Sequence, residues 1–352
     1  MDRPGRRGHE GLVEMTTDCS FREETLEDGS DYPELASQSP LATAFHRPEW
    51  LAAVQDITGE SVRLLRVLQG RETTAILPHV HARWGPIRVL LSPPSGLGMQ
   101  YLGPLIPEWG DLKQDKREAR LNALAEAIRN HMRERRIRFC RVRCAPGLED
   151  ARAFQWSGFE AIPQYTYRLS VGDENAVWEG MKKTVRSDIR RHDGLLTVVP
   201  AEARDWVAFE DGLDARYSEQ GLRAPLPEGY LARLREALGT DLVLLVAKED
   251  SEFVGGAALV RMGDRIALWQ GTARGPPGVP VNDVLVWESI RFARAQGCFE
   301  FELMGANTRR LADFKSKFNP SLKPYLELRR FPAWASATMD IAIRLRGGRL
   351  PL

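Results

Sequence analysis

Apolar and polar positions along this chain follow two periods, and the places where the period changes mark the elements. The stretch 281–319, VNDVLVWESIRFARAQGCFEFELMGANTRRLADFKSKFN, holds both periods in succession. Val284, Leu285, Trp287, Ile290 and Ala293 recur at helical spacing behind Asn282, which reads as the N-cap. Gly297 then supplies the residue past the helix end that tolerates a left-handed conformation. Phe299, Phe301 and Leu303 alternate with Glu300 and Glu302, the signature of a strand with one apolar face. Gly305 and Asn307 end that strand, and a short basic helix carries Phe314, Lys315, Lys317 and Phe318. Helix, glycine turn, strand and helix in this order form a crossover unit, which implies a parallel strand pair.

The same reading extends over the rest of the chain. It predicts a helix over 41–57 with Pro48 in its first turn, a hairpin of strands 62–68 and 73–82, and a third strand over 87–91. The Pro- and Gly-rich segment 92–110 reads as loop. A long helix over 113–136 buries Leu121, Leu124, Ala125 and Ile128, and a strand over 137–144, a short helix ending at Gly158 and a strand over 164–171 follow. The second half repeats this order. It has a strand over 195–200, helices over 202–220 and 228–238, three strands over 242–247, 252–262 and 265–272, the crossover unit, and a closing strand over 323–329. The pattern implies an α+β, mixed α/β chain built by duplication. The expected divisions are a disordered tail over 1–20, one domain over 21–172, a second over 173–330 and an extension over 331–352. Within the extension, 334–345 reads as an amphipathic helix docked on the body rather than on a membrane surface.

Length and charge narrow the classes. A chain of 352 residues exceeds one ordinary core, and 43% hydrophobic with 28% charged residues is the composition of a soluble globular protein. Net charge is +1, from 49 basic and 48 acidic residues, so no global field draws DNA or an anionic membrane. No apolar run approaches the ~20 residues of a membrane span. The first residues lack the apolar core of a secretory signal, and Met15 is an alternative start. Cys19, Cys140, Cys144 and Cys298 are sparse and read as reduced thiols of a cytoplasmic protein. His79 and His81 share one strand face but have no third ligand near them in sequence, so they read as packing or surface residues and no metal is expected.

Residues 281–319 resemble the C-terminal half of FemAB-like proteins, the GNAT-related peptidoglycan aminoacyltransferases and their acyltransferase relatives. The features that carry the resemblance are the Pro280–Asn282 approach to the helix, Trp287, Glu288, Gly297, the Phe-Glu-Phe-Glu strand and Phe314-Lys315. Upstream it takes in Trp178, Lys182, Lys183, Arg186 and Arg190, and it covers most of 45–330. The resemblance implies tandem GNAT-like domains with mixed central sheets and a substrate cleft between them. It also implies transfer of an acyl or aminoacyl group onto an amine of a cell-envelope precursor. No tightly bound cofactor is implied; the co-substrate would be aminoacyl-tRNA or acyl-CoA. The acceptor would be a phosphorylated sugar or peptidoglycan precursor, with peripheral membrane contact allowed.

Several residues are candidates for that chemistry. At about 100° per residue, Lys182, Lys183, Arg186 and Arg190 fall on one helical stripe beside Trp178, Met181, Val185 and Ile189. Such a stripe is either a solvated face or an anion site. By resemblance it grips the substrate's phosphates, with the arginines as forks and Lys182 as a point charge. Lys315, after Phe314, is placed by resemblance near donor or acceptor; the alternative is an amphipathic helix with its lysines in water. Acyl transfer to an amine needs a base and oxyanion donors. Glu302 or its neighbour Glu300 is the candidate base, unless both merely face solvent, and main-chain amides near 269–272 are the candidate donors. The loop 273–279, ARGPPGV, offers Arg274, Gly275, Gly278 and the following Asn282 to a cofactor. Pro277 stands where the acyl-CoA motif has its first glycine and Val279 where it has its second, and two prolines remove amide donors. This departure weakens the acyl-CoA reading. An acyl-CoA-dependent N-acyltransferase acting on a polysaccharide or small amine and a non-catalytic sugar-nucleotide-binding protein remain as alternatives.

Overall fold

Strand-forming runs from both halves of the sequence join a single sheet in the computed structural model, which describes residues 19–221 and 226–331. The first half runs β1 (Cys19–Thr25), α1 (Tyr32–Ser37), α2 (Pro48–Thr58), β2 (Val62–Gln69), β3 (Glu72–Trp84) and β4 (Ile87–Ser92). It continues through α3 (Gln114–Glu134), β5 (Phe139–Arg143), α4 (Arg152–Trp156) and β6 (Glu160–Ser170). The second half runs α5 (Glu174–Gly180), α6 (Lys183–Arg191), β7 (Thr197–Pro200), α7 (Ala203–Glu219), α8 (Tyr230–Leu238), β8 (Leu242–Glu249) and β9 (Glu252–Met262). It ends with β10 (Arg265–Ala273), α9 (Val281–Ala295), β11 (Glu300–Glu302), α10 (Arg309–Lys315) and β12 (Ser321–Arg330). None of the described helices is long and apolar enough to cross a membrane.

The sheet has twelve strands in the order β1-β2-β3-β4-β5-β12-β6-β11-β10-β9-β8-β7. Each half contributes an antiparallel meander closed by a parallel pair, β4 with β5 and β10 with β11. The last strand of each half crosses to the other. β6 pairs with β11, β12 pairs with β5, and β6 and β12 pair with each other from Glu160↔Arg329 to Arg168↔Ser321. The exchange runs the sheet without a break across the boundary expected near 172. One apolar cluster also spans both halves: Trp50 meets Trp269 edge to face at 5.2 Å, and its Nε1 donates to the Tyr230 hydroxyl at 2.9 Å.

Three sequence expectations need correction. Residues 19–20 belong to β1, a charged edge strand whose alternation is hidden by polar side chains on both faces, so the expected tail reaches too far; 1–18 and the helix expected over 334–345 lie outside the described residues. Asn282 is not the N-cap of α9, because Pro280 occupies that position. The basic helix is broken: Met181 and Lys182 are extended, separating α5 from α6, and the Lys182 amide donates to the Lys317 carbonyl at 2.8 Å.

The exchanged strand β12 carries a charge that the first half needs. Glu327, 2% exposed, accepts from Arg143 Nε and Arg329 Nε, each at 2.5 Å, with buried Arg141 nearby on β5. Burial by itself would raise this carboxyl, but Arg143, Arg329 and Arg141 outweigh it and hold it below the usual carboxylate range. A depressed carboxyl stabilises the fold above its unfolded pKa, and that contribution is lost as pH falls through the folded value. Glu327→Gln is therefore expected to cost about 3–5 kcal/mol in denaturant unfolding at neutral pH. The gap to wild type should close in acid; an unchanged midpoint at pH 7 would contradict this.

Candidate active site

β10 and β11 run together only over Arg265–Ala267 and Glu300–Glu302. Beyond that the ladder opens. The β10–β9 register slips between Leu268 and Gln270, a bulge at Trp269, and Met304 takes φ +51, which turns the chain after β11 aside. A cavity of about 570 Å³ fills the gap. Leu268–Gly271 form one wall, with no strand partner on the side facing β11, so their main-chain groups are available where oxyanion donors were expected. The loop at 94–100 forms a second wall and is tied to the first by Trp269 Nε1 donating to the Gly98 carbonyl at 2.9 Å. Asn282, Leu285 and Val286 near the start of α9, and Leu311 and Phe314 of α10, complete the lining.

Lys315 lies in this cavity and is 9% exposed. Its Nζ donates to the carbonyls of Met304 at 2.6 Å and Gly305 at 3.1 Å, so the side chain is fixed against the turn that opens the site. Burial, assisted by Arg216, lowers its pKa to about 8. The alternative reading of α10, with both lysines in water, does not hold. Lys317 is held by Asp283 at 2.9 and 3.0 Å, and Phe314 packs edge to face on Phe318 at 5.9 Å.

Four arginines join Lys315: Arg141 and Arg143 from β5, Arg216 from α7 and Arg310 from α10. Among the described residues no carboxylate lines the cavity. Arg141 is 3% exposed; its Nη2 donates to Ser95 Oγ at 2.7 Å while its buried Nε has no partner. Burial, together with Arg143, lowers the Arg141 pKa to about 9. Arg216 donates to the Gly271 carbonyl, and burial lowers its pKa as well. Five cations around one half-open cavity create a positive potential that suits an anionic guest. Sequence reading missed all four arginines. The available signal was Arg141 and Arg143 two apart on a strand, on the face opposite the apolar Cys140 and Val142.

The residues expected from sequence divide sharply. Lys315, Phe314 and Asn282 line the cavity; Lys182, Lys183, Arg186, Arg190 and Trp178 do not. α6 buries Val185 beside Met181 in the cluster that contains α9, which turns its cationic stripe outward. There Arg186 pairs with Glu179, and Arg190 lies 5.1 Å over the Trp178 ring, itself tilted against Trp287 at 4.9 Å. Glu302 is also misplaced for a base. It is 1% exposed beneath Tyr101, and it accepts from the Tyr101 hydroxyl, Thr166 Oγ1 at 2.8 Å and Arg168 Nε at 3.1 Å. Glu300 is bound to Arg265 at 2.6 Å. Neither glutamate lines the cavity. Arg274 pairs with Glu219 at 2.9 Å, and Gly275 is required by packing, since a Cβ there would lie 2.3 Å from Val281 Cγ2. Arg274, Gly275 and Gly278 stand outside the cavity lining.

Residues 179–316 match a family model described as an acetyltransferase (GNAT) domain. No curated protein matches the chain by sequence. Among solved structures, FemX is similar with a TM-score of 0.65 at 12% identity, over 87% of this chain and 96% of that one. The C-terminal domain of a putative lysylphosphatidylglycerol synthetase from Agrobacterium fabrum gives 0.55 at 15% identity, over 93% and 98%. A tandem GNAT protein from the clavulanic acid biosynthesis pathway gives 0.55 at 10% identity, over 88% and 98%. At these identities the likeness is one of fold. Residues 179–316 therefore carry the match to a GNAT acetyltransferase domain, and the chain as a whole shares the fold of FemX and of a tandem GNAT protein.

Proposed function

We propose that this acyltransferase moves an acyl or aminoacyl group onto an amine of an anionic cell-envelope precursor, related to peptidoglycan or polysaccharide, in the cytoplasm. The observation that carries this reading is the cavity at the strand splay, with five cationic side chains and no lining carboxylate among the described residues. A phosphorylated acceptor would satisfy Arg141 Nε and the arginine forks. The similarity in fold to a synthetase named for lysylphosphatidylglycerol, an aminoacyl group joined to an anionic lipid, agrees with such a pairing.

In this reaction the amine nitrogen forms a bond to the donor carbonyl, the bond to the leaving group breaks, and negative charge grows on the carbonyl oxygen. Lys315 has one ammonium hydrogen beyond the two its carbonyl partners take, and this hydrogen and the main chain at 268–271 are the oxyanion donors. The amine's proton passes to solvent or to a basic group of the substrate, because Glu302 is engaged elsewhere. The GNAT fold favours acyl-CoA as donor, and Asn282 at the start of α9 offers a pyrophosphate a helix N-terminus. Pro276 and Pro277 leave charged tRNA as the second donor reading. Thermal-shift titration with CoA, acetyl-CoA and charged tRNA separates them, since only the true donor class raises Tm at micromolar concentration. Binding of all ligands without turnover of any donor would instead favour a non-catalytic protein.

Lys315→Met should lower kcat about 100-fold with KM changed far less. In the wild type kcat should fall as pH rises through about 8, because the ammonium is the useful form. A rate that climbs through the same range would make Lys315 a base instead. Arg216→Met and Arg310→Met should each raise the acceptor KM about tenfold or more, with Arg186→Met changing it less than about twofold. The reverse pattern in steady-state kinetics would return acceptor binding to α6.

A further inference from the structure

The sheet face away from the cavity carries a second constellation. Ala75 and Leu77 of β3 pack in the cluster that holds α3, and strand alternation puts His79 and His81 on that same face. His131 of α3 reaches them from above, and Glu23 of β1 from the side. Glu23 Oε1 lies 3.3 Å from His79 Nε2, 3.3 Å from His81 Nε2 and 3.2 Å from His131 Nε2; the His81 and His131 Nε2 atoms are 3.3 Å apart. All four donor atoms fall within 4.8 Å of one another. A tetrahedral zinc ion with nitrogen and oxygen ligands at its usual bond lengths has donor–donor edges of about 3.3–3.6 Å.

The hydrogen-bonding roles argue against a plain polar cluster. His79 Nδ1 faces the Leu77 carbonyl at 3.0 Å, and a carbonyl only accepts, so Nδ1 carries the hydrogen. In the neutral ring Nε2 is then a bare lone pair, yet it points at a carboxylate oxygen. That contact is repulsive unless the ring takes a second proton or a metal cation stands between them. The other carboxylate oxygen, Oε2, is held by Arg135 at 2.6 Å and Arg63 at 3.5 Å, which leaves Oε1 turned to the imidazoles. An outer hydrogen bond on a ligating imidazole and an oriented carboxylate are the usual supports of a metal site. His79 and His131 are 0% and 1% exposed and the Glu23 side chain 3%, so protein closes around the donors.

We propose that Glu23, His79, His81 and His131 bind one divalent transition metal, zinc by ligand type, in a structural site that ties β1 and α3 to β3. Three imidazoles with a carboxylate suit zinc, and four protein ligands leave no open position for chemistry. The site lies on three elements of the first half and does not depend on the acyl-transfer reading.

The test uses the full chain, tag-free and purified without chelator. Elemental analysis should find about one zinc per chain. After chelator treatment, cobalt(II) should give the visible bands of a tetrahedral complex, and zinc at about a hundred times its dissociation constant should raise Tm by about 4–8 °C. His131→Gln risks misfolding, so His81→Asn, at the most exposed ligand with 27% side-chain exposure, is measured beside it. It should keep the wild-type circular dichroism and bind zinc at least about tenfold more weakly. A folded wild-type chain that binds neither zinc nor cobalt, or a His81→Asn chain with unchanged zinc affinity, would overturn the proposal.

Discussion

The antiparallel pairing of β6 with β12 is the contact on which the rest of the structure depends. Each strand closes a meander that is not its own, so neither half completes its sheet without the other. The exchange determines what the cavity contains. It sets β5, with Arg141 and Arg143, within reach of a gap opened by β10 and β11 of the other half. It also supplies Glu327, without which three arginines would crowd the centre of the sheet uncompensated.

The splay between β10 and β11 turns this architecture into a site. A ladder of only three residue pairs, a bulge at Trp269 and a left-handed Met304 leave main-chain groups of β10 facing a space instead of a strand. Lys315 anchors the turn that makes the opening, so the residue nearest the proposed oxyanion is also part of the hinge of the gap. Holding Arg141 nearly dry, with one donor unmatched, costs stability that an anionic ligand would return; a hydrogen bond to a charged group contributes about 1.5–3 kcal/mol. On α6 Arg186 also keeps a buried Nε without a partner, but its guanidinium is already paired with Glu179, Arg190 lies over Trp178, and neither arginine lines the cavity.

Much of the fold was legible in the sequence because periodicity survives burial. The meander strands, α3, α7, α9 and the strand–helix sequence through Phe314-Lys315 lie close to where alternation and helical spacing place them. β1 was not legible, since CSFREET has little apolar contrast, and the strand exchange was not, since pairing partners far apart leave no local mark. The site was half legible. Lys315 and Asn282 fall in the cavity, but the visible charge run on α6 drew attention from Arg141, Arg143, Arg216 and Arg310, which come from three separate elements. Glu302 looked solvent-facing only because a single sequence cannot reveal that Tyr101, Thr166 and Arg168, all distant in the chain, close over it. The Glu23–His131 cluster escaped for the same reason, its ligands being spread over 23–131.

The central claim is that the cations lining the cavity at the splay, not those on α6, receive the anionic substrate. Anomalous diffraction from crystals soaked in tungstate, a heavy-atom stand-in for phosphate, tests it directly. The account predicts the dominant peak inside the cavity, in contact with Arg141, Arg216 or Lys315. A dominant peak beside Lys182, Arg186 and Arg190, with the cavity free of anion, would contradict it.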